Sequence, residues 1–185
     1  MPSQITHLAV AKRYLEKHPG VIRDVQAFLD GNVLPDLHPK KEVSHCGVRA
    51  EIHNVAKRNA EKVNPEKFLA THDLSLDLNR GQYLHLYVDY CYYNVFLLAY
   101  FKRVTMEQSS TDMYETTQRD DKYLQDTYGV SYDDTTLGSE VIALNQQWDD
   151  EVRERRKTWV YEIPYELNML DDFIEEMSNT VIPLS

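Results

Sequence analysis

A chain of 185 residues with 42% hydrophobic content is long enough to bury one sizeable core, and the expectation is a single domain over residues 1–185. A formal net charge of −10 excludes a general nucleic-acid binder, which needs basic surface to displace counterions from phosphates, and excludes docking on an anionic membrane by charge alone. A locally basic or metal-containing pocket escapes both arguments.

The opening residues, Met1-Pro2-Ser3-Gln4-Ile5-Thr6-His7, start no apolar run of signal length. The spacing predicts a first helix over Thr6 to Lys17, with Leu8, Ala11, Tyr14 and Leu15 inward and His7 in its opening turn. His18-Pro19-Gly20 stops it. A short second helix follows, Val21 to Leu29, with Val25, Phe28 and Leu29 inward, ended by Asp30-Gly31-Asn32. Val33-Leu34-Pro35-Asp36-Leu37-His38-Pro39 then reads as an apolar loop that delivers Asp36 to a fixed place. Lys40-Lys41-Glu42 reads as exposed, Ser44-His45-Cys46-Gly47 as a second loop, and Glu51 to Val63 as a polar amphipathic helix. Asn64 and Pro65 form a helix start, and that helix ends near His72-Asp73.

A long, mostly buried central helix is expected from about Gly81 to Val104, capped by Asp77 or Asn79, with Leu84, Val88, Cys91, Val95 and Leu98 on one stripe and Tyr83, Tyr87 and Tyr90 on another. Its most apolar stretch, Tyr90 to Phe101, is too short to span a bilayer. Glu107 to Asp112 reads as a polar connection, Met113 to Tyr128 as a helix closed by Gly129, and Ser131 to Ser139 as a loop. Glu140 to Tyr161 reads as one or two further helices with a charged face at Glu151, Arg153, Glu154, Arg155, Arg156 and Lys157. Tyr165 to Met177 is the last helix, and Trp148 and Trp159 are expected in the core. No repeat and no strand is evident, so the class is all-α. Two cysteines, Cys46 and Cys91, cannot make a disulfide framework, and a reduced, cytoplasmic protein without a transmembrane segment is expected.

Chemistry concentrates in the first ninety residues. His85 and Asp89, four apart on the central helix, leave the same face one turn apart, which is a chelating spacing. With His7, Asp36 and His45 they make a set of imidazoles and carboxylates suited to one zinc ion, or to two metals bridged by a carboxylate, with Asp89 as the bridge. The order His7, Leu34-Pro35-Asp36, Ser44-His45, then Gly81-Gln82-Tyr83-Leu84-His85 with Asp89 resembles the zinc-dependent phospholipase C family, which shares its helical fold with the single-strand-specific fungal nucleases.

The resemblance implies that Asp36, His45, His85 and Asp89 hold one zinc, and that His7 and Asp89 hold a second, helped in that family by the amino group of the mature N-terminus. It implies a hydrolase of phosphoester substrates, a phosphodiesterase in the broad sense. A metal-bound hydroxide would attack phosphorus, and Asp36 would orient it or act as its base. The family's later histidines, which complete a third metal site, have no counterpart, since no histidine follows His85. Such a site is absent, or built from Asp112, Asp120 or Asp121. Two other readings are open. His72-Asp73 matches the doublet of the HD phosphohydrolases and predicts His72 beside His45. A non-catalytic helical metal-binding or interaction protein would keep the ligands without the reaction. His38 is a candidate partner of Asp36, and His18 and His53 read as surface residues.

Overall fold

A computed structural model describes residues 2–48, 54–156 and 158–183, and for 154–156 the backbone alone. The predicted start of a helix at Glu51, the surface assignment of His53 and the charged side chains of Glu154, Arg155, Arg156 and Lys157 therefore lie outside the described residues. Ten α-helices are described: α1 (Gln4–Lys17), α2 (Val25–Leu37), α3 (Lys41–Ser44), α4 (Val55–Glu61), α5 (Pro65–Thr71), α6 (Asp77–Cys91), α7 (Leu98–Arg103), α8 (Met106–Tyr128), α9 (Gly138–Arg156) and α10 (Leu167–Ser178). A π-helical turn, Tyr92–Phe96, joins α6 to α7, and a 3-10 turn, Tyr132–Asp134, precedes α9. No strand forms among the described residues, and the class is all-α as expected. None of the described helices is long and apolar enough to cross a membrane.

Helix α1 starts two residues earlier than its apolar pattern suggests, because the Ser3 hydroxyl accepts the Thr6 N–H at 3.0 Å and caps it. It buries Ile5, Leu8, Ala9, Val10, Ala11 and Tyr14, and packs against α10, α2 and α8. His18 is half-buried, its ring on Tyr14 and its Nε2 at 3.1 Å from the Ser178 carbonyl, so it is not a plain surface residue.

The largest departure from the expected fold is α2. The chain does not leave the helix at Gly31. It continues through Pro35 to Leu37, and Asp36 is borne on a helix rather than a loop. Gly31 is needed for contact, not for a left-handed turn. A Cβ there would stand 2.1 Å from the Leu78 carbonyl oxygen, and one at Gly81 would stand 2.0 Å from that of Phe28. The backbones of α2 and α6 thus touch, and Asn32 locks them by donating its side-chain N–H to the Gly81 carbonyl at 3.1 Å. Burial along this crossing outweighs the propensity cost of Gly31 and Pro35. Val25, expected inward, is exposed, while Phe28 and Val33 are fully buried.

The expected central helix is interrupted. Asp77 does not cap it but accepts the Arg23 and Asp24 backbone N–H groups, and Asn79 reaches back to the Asp73 carbonyl. The π turn after Cys91 adds a residue to the repeat. Val95, due inward on an uninterrupted stripe, is 68% exposed, and Tyr92, Tyr93 and Leu97 take the buried positions. Tyr90 is likewise exposed, at 43%. Helix α8 begins at Met106, capped by the Thr105 hydroxyl, so Glu107 to Asp112 is helix and not a connection. Gly129, at φ 59°, closes it as expected. Helix α10 buries Leu170, Phe173, Ile174 and Met177. Trp148 is 40% exposed and, with Trp159, packs edge-on to Tyr114 rather than filling the core.

Replacing Gly31 by Ala separates the two uses of glycine. Helix propensity alone would stabilise by about 1 kcal/mol. The Cβ against the Leu78 carbonyl reverses the sign, with an expected loss of about 2 kcal/mol or more in urea unfolding.

Candidate metal centre

The five groups picked out by residue type meet in one buried cluster. Helix α1 supplies His7, α2 supplies Asp36, the residue after α3 is His45, and α6 supplies His85 and Asp89; none is more than 2% exposed. Asp89 presents Oδ1 to His7 Nε2 at 3.4 Å and Oδ2 to His45 Nε2 at 3.3 Å and His85 Nε2 at 3.8 Å. His45 Nε2 lies 3.7 Å from Asp36 Oδ1 and 3.2 Å from His85 Nε2. The rings of His7 and His85 stack at 3.8 Å. Asp89, facing imidazoles with both oxygens, has the disposition of a bridging carboxylate.

The backbone fixes how the imidazoles are protonated. His85 Nδ1 lies 2.8 Å from the Asn32 carbonyl, and a carbonyl only accepts, so Nδ1 carries the hydrogen. His45 Nδ1 lies 3.1 Å from the Lys41 carbonyl and 2.9 Å from Ser44 Oγ, whose own hydrogen goes to the Pro35 carbonyl at 2.8 Å. Nδ1 is again the donor. Burial first, and the neighbouring His7 next, pull the His85 imidazole down to about 3, so it is neutral near pH 7. Its Nε2 lone pair therefore points at that of His45 across 3.2 Å, beside a carboxylate oxygen. A shared proton or a cation makes such an arrangement favourable. His7 Nδ1, His7 Nε2 and both Asp89 oxygens are buried without hydrogen-bond alignment to any group, although Asp89 is within 3.4 Å of two imidazoles. Burial works against ionising Asp89, but His45 and His7 beside it hold its carboxyl well below the ordinary range. The donor set of three imidazoles and two carboxylates suits zinc.

Asp36 is positioned by groups that residue type did not reveal. Lys41 Nζ donates to Asp36 Oδ1 at 2.5 Å and to its carbonyl at 2.6 Å, and Gln4 Nε2 donates to Oδ2 at 2.8 Å. Burial opposes ionisation of Asp36, yet His85 and Lys41 outweigh it and hold the carboxyl at about 2. Both oxygens are engaged and the group is a weak base, which suits a ligand better than a proton acceptor. Lys41 is thus not the freely exposed residue expected, and no spacing in the sequence signals its contact with Asp36. His38 is not a partner of Asp36; it is exposed, and its Nδ1 accepts the Lys40 N–H at 3.0 Å. His72 is exposed too, stacked on Phe68, so the His72-Asp73 doublet takes no part in the cluster.

Among the described residues, the groups able to hold a metal are His7, His85 and Asp89, and Asp36, His45 and His85. The proposed oxygen ligands of a third site do not join them. Asp112 accepts from Tyr100, Gln108 and the Glu162 backbone. Asp120 is occupied by Arg119 and the Tyr165 hydroxyl. Asp121 lines a cavity of about 790 Å³, where burial pushes its carboxyl up to about 7. The same cavity is lined by Pro2, Gln4, Lys41, Arg58, Lys62 and Tyr93, so it reaches the centre through the two residues that grip Asp36. No protein-family profile, curated protein or solved structure matches this chain, and the site is read from its geometry.

Zinc at about a hundred times its dissociation constant adds roughly 2.7 kcal/mol to a fold that binds it only when folded. For a chain of this size that corresponds to a rise in Tm of about 5–10 °C. Thermal denaturation with and without zinc is expected to show this rise, and Asp89→Asn, nearly isosteric, is expected to abolish it.

Proposed function

We propose that this protein is a zinc-dependent phosphoesterase of the kind implied by its resemblance to the zinc-dependent phospholipases C, whose ordered ligands correspond to His7, Asp36, His45, His85 and Asp89. The observation that carries the reading is the pair of Nε2 lone pairs held face to face beside Asp89, a geometry suited to cation binding. The all-helical fold agrees with that family.

Bound at this centre, zinc would polarise a phosphoryl oxygen and acidify a water molecule. The chain's own residues do the rest. The Asn32 and Lys41 carbonyls fix the ring tautomers of His85 and His45, so that both offer Nε2 without a proton to displace. Asp89 joins the His7 side of the centre to the His45 and His85 side. Lys41 and Gln4 hold Asp36 in one orientation, ionised, as a ligand that also orients water. The cavity beside Gln4 and Lys41 offers room for a small phosphoester.

One observation favours a second reading, a metal-binding protein without hydrolytic activity. The five ligands are at most 2% exposed, and none of them lines the cavity. Substrate would reach the centre only past Gln4, Lys41 and Tyr93.

The discriminating experiment strips the chain with chelator, restores zinc, and assays a chromogenic phosphomonoester and a phosphodiester. The expected result is zinc-restored hydrolysis that falls by about a hundredfold or more in Asp89→Asn. Stoichiometric zinc without hydrolysis of either ester would establish the second reading and end the first.

A further inference from the structure

Three donor side chains, Arg58, Lys62 and Tyr93, line the cavity with no ion-pair partner among the described residues. Arg58 and Lys62 lie four residues apart at the C-terminal end of α4, so they share a face. Helix α4 packs against the π turn, which turns Tyr93 to the same cavity. The Tyr93 hydroxyl is buried without a partner, although the side chain is only 1% exposed, and Arg58 Nε is buried without a partner as well. The remaining contact of Arg58 is a long one, 3.4 Å to Asn59 Oδ1. No acidic side chain forms an ion pair with Arg58 or Lys62 among the described residues, in a chain with 30 acidic residues against 20 basic ones. Unsatisfied buried donors of this kind are costly, and most are found paired.

Two of the three groups, Tyr93 and Lys62, also feel the metal centre. Asp89 and Asp36 act electrostatically on Tyr93, and Asp89 acts on Lys62. Burial and those two carboxylates raise the Tyr93 hydroxyl well above its ordinary range, so it remains a donor. A guanidinium, an ammonium and a phenol together match the non-bridging oxygens of a phosphoryl group, which only accept.

We propose that Arg58, Lys62 and Tyr93 form an anion subsite that binds the phosphoryl group beside the metal centre. The subsite deepens the phosphoesterase reading and rests on it for its place in a reaction, though not for its ability to bind an anion.

The test is calorimetric titration of the full chain, zinc-loaded and zinc-free, with inorganic phosphate, with zinc content measured in parallel. In the zinc-loaded form, Arg58→Met/Lys62→Met is expected to lower phosphate affinity by about tenfold or more, and Tyr93→Phe by about three- to tenfold, with zinc content unchanged. The Tyr93→Phe variant keeps the buried ring and guards against misfolding of the double variant. Affinities within about twofold of the unsubstituted chain in both variants would overturn the proposal and leave the cations as counter-charges to the buried carboxylates. If the unsubstituted chain takes up no zinc, the phosphoesterase reading fails, and the subsite is scored on the zinc-free protein. Phosphate binding lost in the variants then sustains it, and absence of phosphate binding overturns it.

Discussion

The structure depends on one close contact, the crossing of α2 and α6 at Gly31 and Gly81. Only because neither residue has a Cβ can a carbonyl of each helix lie against the other backbone. That approach brings the Asn32 carbonyl within 2.8 Å of His85 Nδ1, and the Asn32 amide onto Gly81. One residue thus joins the helices with its side chain and sets the tautomer of His85, a candidate metal ligand, with its backbone. Four residues further along α2 is Asp36, carried to the same centre. A wider crossing of ordinary helices, about 8–10 Å between axes, would draw all these groups apart.

The centre is an electrostatic exception inside an acidic protein. Two carboxylates are fully buried, and burial of a charge is expensive unless something compensates it. Asp36 is compensated by Lys41 and Gln4. Asp89 has no such partner, only imidazoles whose nitrogens lie near its oxygens without hydrogen-bond alignment. The two carboxylates are therefore not equivalent: Asp36 is oriented by donors from the protein, and Asp89 has none aligned to it. Arg58 and Lys62 stand outside this core and line the cavity together with Lys41.

The helical class was legible from periodicity, and the five groups that meet in the cluster from residue type and, for His85 and Asp89, from spacing within one element. His85 and Asp89 share a face by periodicity alone, and the Asn64-Pro65 cap holds as read, with Asn64 Oδ1 accepting the Lys67 N–H at 2.8 Å. What was not legible depends on contacts between elements. Gly31 and Pro35 carry the signature of a helix end, and only the presence of α6 reveals that Gly31 serves a crossing. The phase of the central stripe was lost at the π turn, which inserts a residue without marking the sequence, and so Val95 was placed inside and Tyr93 was passed over. Lys41 read as a solvated charge because a lysine beside other polar residues is usually that, and Arg58 and Lys62 were not singled out within a polar helix. Their roles come from what the fold sets opposite them.

The dispersal of the ligands has a consequence for stability. His7, Asp36, His45 and the pair His85 and Asp89 come from four separate stretches of chain, so the unfolded polypeptide has no preformed site. A cation held by all of them would cross-link α1, α2, the segment after α3, and α6, and its binding energy would become folding energy. The supporting shell is already in place without it, because the carbonyls of Asn32 and Lys41 orient the rings and Lys41 orients Asp36. The folded chain has therefore met in advance the orientational cost that a floppy site would meet at binding. What a metal would relieve is the repulsion among the imidazole lone pairs that face one another beside Asp89, and so the groups left without aligned hydrogen bonds are the ones that make the fold receptive.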